Sequence, residues 1–171
     1  YTKMKVNIPK WMKIHNYMYN YCLSDQFWEV ESRLAATQRA CFGITTGLSV
    51  MGFQSMCYQE SYVDKQVEGY KNVGIRNILA CGPGDVPWPK KLSHTENGKV
   101  TRYMESYDEA ITTLEKIVKK HHNTNNTLTK IFVCPYKIIT SLTSETESEE
   151  CNELTELDLR NSFEMRRIAK K

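Results

Sequence analysis

The chain has 171 residues, of which 40% are hydrophobic and 25% charged, and its formal net charge is +3. This composition is typical of a globular domain and excludes a disordered chain. The small net charge and the scattered Lys and Arg residues argue against nucleic-acid binding, and no apolar run is long enough to span a membrane. We therefore expect a single domain over residues 1–171.

The amino-terminal third of the sequence predicts two helices. Pro9 suits a first helical position, and Trp11, Ile14 and Met18 recur at helical spacing within the segment 7–22. Ser24 is a suitable N-cap for a second helix that Gly43 would terminate. We expect this second helix to bury an apolar stripe made of Phe27, Val30, Leu34 and Cys41.

A third helix is predicted from Thr45 or Thr46 to Cys57, because apolar residues on all sides indicate a buried segment. The segment 59–81 also has helical spacing, although Gly69 and Gly74 weaken it and favour two short pieces. Three prolines and two glycines then predict an irregular loop over residues 81–91.

The clearest predicted helix covers Tyr103 to Lys120. Acidic residues lie in its first half and lysines in its second half, which complements the helix dipole. Its expected core stripe consists of Tyr103, Tyr107, Ala110, Ile111, Leu114, Ile117 and Val118.

The last third of the sequence mixes extended and helical patterns. Residues 128–140 are rich in Ile, Val, Phe and Tyr, which predicts a short strand near Lys130–Val133 at a sheet edge, because Pro135 cannot donate to a ladder. A helix or two should follow, with Ser144 in a capping box. The residues expected to face inward are Cys151, Leu154, Leu157 and Phe163.

These patterns together predict a mainly α fold of four to six helices, with at most one short strand. Six cysteines in an even, widely spaced set resemble a disulfide framework, and we expect them to staple the domain by three disulfides. The cysteines are Cys22, Cys41, Cys57, Cys81, Cys134 and Cys151.

A sequon, Asn125-Asn126-Thr127, lies in a polar run that should form an exposed loop. We therefore predict N-glycosylation at Asn125. Together with the cysteine pattern, this predicts an extracellular, secreted protein. The alternative is an intracellular protein with six unpaired thiols, because unpaired cysteines pack well in cores.

No motif in the sequence specifies a catalytic reaction. The segment 131–136 resembles the start of a glutaredoxin site, yet the second cysteine is absent, so a packed or bridged Cys134 is favoured. His121 and His122 are adjacent and cannot share a helix face as metal ligands, and capping of a helix end is the better interpretation. We predict no catalytic residue, no metal site and no cofactor.

One loop residue stands out as a possible binding anchor. Trp88 lies between two prolines and precedes Lys90 and Lys91, and a braced Trp loses little entropy on binding. A Trp folded back on the core is an equal alternative.

The sequence therefore favours a secreted, non-enzymatic binding protein that presents a surface, including Trp88, Lys90 and Lys91, to a protein partner or receptor. Two alternatives stay open. One is a carrier of a small hydrophobic ligand between helices, and the other is an intracellular subunit of a larger assembly.

Overall fold

A computed structural model describes residues 10–11, 14–15, 17–18, 24–50, 59–83, 88–96, 99–134 and 156–170. The described helices are α1 (Asp25–Cys41), α2 (Glu60–Val73), α3 (Tyr107–His121) and α4 (Glu156–Ala169). The strands are β1 (Thr46–Val50), β2 (Arg76–Cys81), β3 (Lys90–Glu96), β4 (Lys99–Glu105) and β5 (Thr129–Val133).

The fold is α/β, so the predicted mainly α architecture is wrong. Strands β1, β2 and β5 form a parallel sheet in the order β1-β2-β5, and β3 and β4 form an antiparallel pair. Helix α2 connects β1 to β2, and α3 connects the hairpin to β5, as parallel strands require. The predicted strand near Lys130–Val133 is confirmed as β5, and its place at the sheet edge is confirmed too.

The predicted third helix is wrong where the structure describes it, because Thr46–Val50 is strand β1. A short apolar run occurs in buried helices and in buried strands alike, so hydrophobic periodicity does not distinguish the two. The following segment 51–58 lies outside the described residues. Segment 59–81 holds one uninterrupted helix, α2, and then strand β2.

One hydrophobic core lies between the sheet and its helices. The inward side chains Leu79 of β2 and Ile131 of β5 pack against apolar residues of α2, α3 and α4. These helix residues are Val63, Val67, Ile111, Leu114, Ile117, Met165 and Ile168. The helices therefore cover one face of the parallel sheet.

Helix α1 packs on α2 through small residues. Its buried positions are Trp28, Ser32 and Ala36, whereas Val30 and Leu34 are exposed. The predicted stripe of Phe27, Val30, Leu34 and Cys41 is therefore wrong except for the half-buried Phe27, which contacts the core. The predicted boundaries are confirmed: Ser24 is the N-cap residue, and Gly43 follows the helix with a φ of 72°.

Helix α3 begins at Tyr107, four residues later than predicted, because Tyr103 and Glu105 belong to β4. The Ser106 hydroxyl accepts a hydrogen bond from the Glu109 backbone N–H, and the Glu109 carboxylate accepts one from the Ser106 backbone N–H. This capping box sets the start of the helix. The predicted buried residues Tyr107, Ala110, Ile111, Leu114 and Ile117 are confirmed.

Helix α4 lies beside α3 and runs in the same direction. Arg160 donates to Asp108 in the first turn of α3, and Arg167 pairs with Glu115 about two turns further along the same helix. Met165 and Ile168 are buried, whereas Phe163, predicted to face inward, is 70% exposed. The Ser144 capping box and Cys151 lie outside the described residues.

The predicted disulfide-stapled architecture is also wrong. No disulfide joins the three described cysteines, Cys41, Cys81 and Cys134, which sit at an exposed helix end, in the buried end of β2 and just after β5. Cys22, Cys57 and Cys151 lie outside the described part of the chain. Apolar packing and backbone hydrogen bonds hold the described fold together.

Candidate functional site

The parallel sheet has one face that the described helices do not cover. Alternate strand residues point to opposite faces, and one set points to the helices. The other set forms what we call the open face, and it consists of Thr46, Leu48, Val50, Arg76, Ile78, Ala80, Lys130 and Phe132. Leu48, Val50 and Phe132 are 57%, 47% and 50% exposed. Parallel sheets normally bury both faces, so this exposed apolar surface is unusual.

The strand register arranges the open face in two zones. Val50, Ala80 and Phe132 lie side by side, and Leu48, Ile78 and Lys130 form the next row. Ala80 is buried at 4% exposed, so the exposed apolar surface of this row comes from Val50 and Phe132. The apolar zone therefore lies toward the carboxyl ends of the strands.

The basic zone lies at the amino ends of the same strands. Arg76 pairs with Thr46 in the register, and Lys130 lies one row further along on β5. Arg76 is exposed and Lys130 is half-buried. None of the eight side chains of the open face is acidic, so the face is apolar at one end and positively charged at the other.

Basic side chains occupy both outer edges of the parallel sheet. The Arg39 Nη2 group donates to the backbone carbonyl of Leu48 on β1 at 3.3 Å. On β5, the His122 Nδ1 atom lies 3.1 Å from the carbonyl oxygen of Ile131 and 3.3 Å from its backbone nitrogen. Depending on its tautomer, the imidazole donates to the first or accepts from the second. These contacts satisfy groups that an added strand would need.

A partly buried polar network fixes β1 behind the open face. The Arg39 Nη1 group donates to the Tyr70 hydroxyl at 2.8 Å and to Ser49 Oγ at 3.1 Å. The Asn77 Oδ1 atom of β2 accepts from Ser49 Oγ at 3.2 Å. A Cβ atom at Gly47 would lie 2.2 Å from the Arg39 guanidinium, so a larger residue there would displace the guanidinium from this position. The network ties β1 to α1, α2 and β2.

The hairpin formed by β3 and β4 carries a buried carboxyl group, that of Glu105. Glu105 at the end of β4 is 5% exposed, and no described residue hydrogen-bonds its Oε2 atom. Burial raises the pKa of Glu105 to about 7, and the Glu109 carboxylate adds to the rise. Lys90 lies opposite on β3, but its ammonium group sits over the Trp88 ring at 5.2 Å from the centroid. Glu105 is a buried carboxyl that can bind a proton near neutral pH.

The same hairpin face contacts the starts of α1 and α2. The Gln59 Nε2 group donates to the Tyr103 hydroxyl at 2.5 Å, and burial raises the pKa of Tyr103 to about 12. The His94 ring stacks on Tyr62 at 5.4 Å between centroids, and its Nδ1 atom lies 3.9 Å from the Asp25 carboxylate. His94 and Glu105 are separated by about four residues of strand, roughly 13 Å, so they do not form one catalytic pair.

A charged cluster connects α2 to α3 near the predicted histidine pair. The His121 Nε2 atom lies 2.6 Å from the Asp64 carboxylate, and Lys120 donates to Asp64 and Glu60 at 2.8 Å each. His121 lies in the last turn of α3, and His122 is its C-cap residue, where the sequence predicted them. These contacts give the cluster a structural role between the two helices.

The predicted binding residues Trp88, Lys90 and Lys91 do not form one exposed patch. Trp88 is half-buried, packs against the core and meets the Tyr107 ring edge-on at 5.8 Å. Lys90 is half-buried above it, and Lys91 is exposed. The Trp88–Pro89 peptide bond is cis. Trp88 therefore has the core-packed position that was the alternative for this residue.

The predicted glycosylation residue Asn125 lies in a tight loop after α3. Asn125, Asn126 and Thr127 have φ angles of 53°, 54° and 64°. The Asn125 Nδ2 group donates to the hydroxyl of Thr129, and the side chain is half-buried. Asn126 and Thr127 are exposed, so the loop itself reaches solvent.

Neither a metal centre nor a membrane helix emerges from the described part of the chain. Within those residues, no three His, Cys, Asp or Glu side chains are grouped so that they could hold a metal ion. No helix among them combines the length and the apolar character needed to cross a membrane.

Sequence reasoning missed the open face because it missed the sheet. One signal was present: residues 76–81 and 129–133 are both short segments rich in apolar residues, with a helix pattern between them. This alternation is typical of a parallel βαβ unit. Leu48 and Val50 carried no separate signal, because each also fits a helix.

Comparisons of this chain with protein-family models, curated proteins and solved structures found no match.

Proposed function

We propose that the protein is a non-enzymatic binding protein that presents its open face to a protein partner. The observation that supports this function is the group of Leu48 and Val50 on β1 and Phe132 on β5, apolar side chains of one sheet face that are each about half exposed. Contiguous apolar surface on a folded domain is typical of an interaction site.

The energetics favour covering this surface. Full burial of a Val, Leu or Phe side chain contributes about 1.5–3 kcal/mol, so covering the exposed half of each residue contributes on the order of 1 kcal/mol. Three anchors of this kind on one sheet face give an apolar contact, and the basic zone beside them gives a charged rim. Apolar centres with polar rims are the usual anatomy of protein interfaces.

A photocrosslinking experiment tests the proposal. A photoreactive phenylalanine replaces Phe132 in the full chain, and the matched control carries it at Phe163, which is 70% exposed on α4. After irradiation in an extract of the native source, mass spectrometry identifies the crosslinked peptides. We expect one protein to be crosslinked at position 132 and not at position 163, and Leu48→Asp should abolish that product.

Two results would contradict the proposal. Crosslinks from position 132 only to other residues of the same chain would mean that the chain covers its own sheet. The same set of proteins captured at positions 132 and 163 would mean that the open face has no selectivity.

A carrier function is favoured by one observation. A groove of about 450 Å³ lies between α3 and α4. Its lining includes Val118 and Ile168, with Lys116, Lys119 and His122 around them, and also Glu115, which pairs with Arg167. An apolar floor whose rim is basic apart from this paired carboxylate suits an anionic amphiphile such as a fatty acid. Native mass spectrometry of the purified protein with added fatty acid tests this: a 1:1 adduct that is weakened in Lys119→Glu, at an exposed position of the rim, supports it, and the absence of an adduct contradicts it.

Secretion is part of the proposal, and its support is the sequon at Asn125 in a loop that reaches solvent. The test is the intact mass of the protein from its native source before and after glycosidase treatment. A loss of glycan mass that maps to Asn125 supports secretion, and an unmodified mass contradicts glycosylation at this residue.

A further inference from the structure

We propose that the partner element that docks on the open face is an acidic amphipathic α-helix of another protein. This inference rests on the proposed function, and it adds the secondary structure and charge of the partner. Three features support it: the blocked edges of the sheet, the spread of its exposed apolar side chains and the position of its basic zone.

The blocked edges argue for a helix rather than an added strand. Backbone hydrogen bonds from Asn77 to Leu128 and from Cys134 to Cys81 show that even-numbered residues of β5 bond to β2. The odd-numbered residues therefore direct their backbone groups outward. On this outer edge, the Thr129 N–H donates to the Thr124 carbonyl, and the backbone carbonyl and N–H of Ile131 lie against the His122 imidazole. A partner strand would have to displace these contacts.

At the opposite edge, one outward backbone group of β1 is already bonded. The Arg39 guanidinium bonds to the outward carbonyl of Leu48, and Ser49 and Tyr70 hold that guanidinium in place. Strand addition that uses the Leu48 carbonyl would displace the Arg39 guanidinium from this contact. Docking on the open face breaks none of these bonds, so a partner gains apolar contact there without losing hydrogen bonds within the sheet.

The exposed apolar side chains are spread over the face as a covering helix requires. Leu48 and Val50 lie on one outer strand and Phe132 on the other, so an element that contacts all three must cross the width of the sheet. Helices are the elements that ordinarily cover the faces of parallel sheets. An amphipathic helix would place its apolar stripe here and leave its polar side in solvent.

The basic zone sets the charge of the partner. Arg76 and Ala80 are four residues apart on β2, which is roughly 13 Å along the strand. A helix covers that length in about nine residues, so acidic side chains two to three turns from the apolar anchors would reach Arg76 and Lys130. The open face of a second copy of this chain would carry the same two cationic side chains and no acidic side chain. A second copy therefore would not supply the acidic residues through that face.

Two synthetic peptides test the inference directly. Both are 18-residue amphipathic helices with a leucine stripe, and they differ only in carrying four Glu or four Lys residues at one end. Fluorescence anisotropy at low salt measures their binding to the full chain. We expect the acidic peptide to bind at least tenfold more tightly than the basic peptide, and added salt should reduce the difference.

Charge reversal provides the matched variants. The double variant Arg76→Glu and Lys130→Glu should invert the preference, so that the basic peptide binds at least tenfold more tightly. Arg102→Glu on β4 changes another exposed arginine, outside the open face, and should leave the preference unchanged. Equal binding of both peptides, or equal effects of the double variant and Arg102→Glu, would overturn the inference.

The outcomes also separate this inference from the proposed function. If position 132 crosslinks a partner but charge reversal does not change the peptide preference, the function stands and the acidic helix is rejected. If the purified protein sediments as a dimer that Phe132→Asp dissociates, the occupant is a second copy and the inference is overturned. If position 132 crosslinks no other protein, the function and the inference fail together.

Discussion

Gly69 of α2 lies against Ser32 of α1 so closely that a methyl group at Gly69 would come within 2.1 Å of the Ser32 hydroxyl. The same methyl would lie 2.7 Å from the Glu29 carbonyl oxygen, which belongs to the backbone of α1. Ser32 is fully buried, and its hydroxyl donates to the Trp28 carbonyl at 2.6 Å. The contact of these two small residues sets the distance between the helices.

Gly69→Ala should therefore destabilise the protein, although alanine is the better helix former. Overpacking at a tight contact costs about 1–3 kcal/mol, which exceeds the gain of about 1 kcal/mol in helix propensity. Urea denaturation measures the change. Asn72→Ala, at an exposed position of the same helix, is the control and should be neutral or stabilising. A Gly69→Ala variant that is more stable than the wild type would contradict the close contact.

Two serine N-caps provide a matched pair. Ser106 accepts a hydrogen bond from the Glu109 N–H, whereas Ser24 caps α1 without a side-chain hydrogen bond. Ser106→Ala should lower the unfolding free energy by about 1 kcal/mol, and Ser24→Ala should lower it by less. Chemical denaturation of both variants is the measurement. Equal losses at the two positions would show that the capping box does not stabilise α3.

The buried carboxyl of Glu105 should make stability depend on pH. Its pKa rises from near 4.5 to about 7 in the folded protein, so within this window the folded state holds a proton that the unfolded chain releases. The unfolding free energy should therefore fall as pH rises through the window. We expect the wild-type protein to lose on the order of 2 kcal/mol of unfolding free energy between pH 4.5 and 8. Glu105→Gln should abolish this loss.

Denaturation curves at pH 4.5 and 8 check this expectation, with Glu68→Gln on the exposed side of α2 as the control. The control should keep the pH slope of the wild type. If Glu105→Gln keeps that slope as well, the carboxyl is not titrating in a buried site.

The packing of Trp88 against the core predicts a loss of stability when its side chain is removed. The ring packs against Tyr107 and the core, so Trp88→Ala should lower the unfolding free energy by about 2–4 kcal/mol. Lys91→Ala, at an exposed position of β3, should change the unfolding free energy by less than about 0.5 kcal/mol. Thermal unfolding followed by circular dichroism distinguishes the two. An unchanged melting temperature for Trp88→Ala would favour the binding role that the sequence predicted.

The sequence by itself determined the elements whose signals are local. Helix α3 was predictable because five buried residues recur at helical spacing and its charges follow the helix dipole. Strand β5 was predictable from its β-branched residues and its position before Pro135, and α1 was predictable from Ser24 and Gly43 at its two ends. Each of these signals acts within a few residues of chain.

Only the tertiary structure decided which sides of these elements are buried. In α1 the contact with Gly69 favours small residues, so Ser32 and Ala36 are buried while Val30 and Leu34 face outward, opposite to their order of hydrophobicity. In β1 the choice of strand depends on hydrogen bonds to β2, because Thr46 pairs with Arg76, which lies 30 residues later in the chain. The open face arises from three strands that meet only in the folded chain, and for that reason no local pattern predicts it.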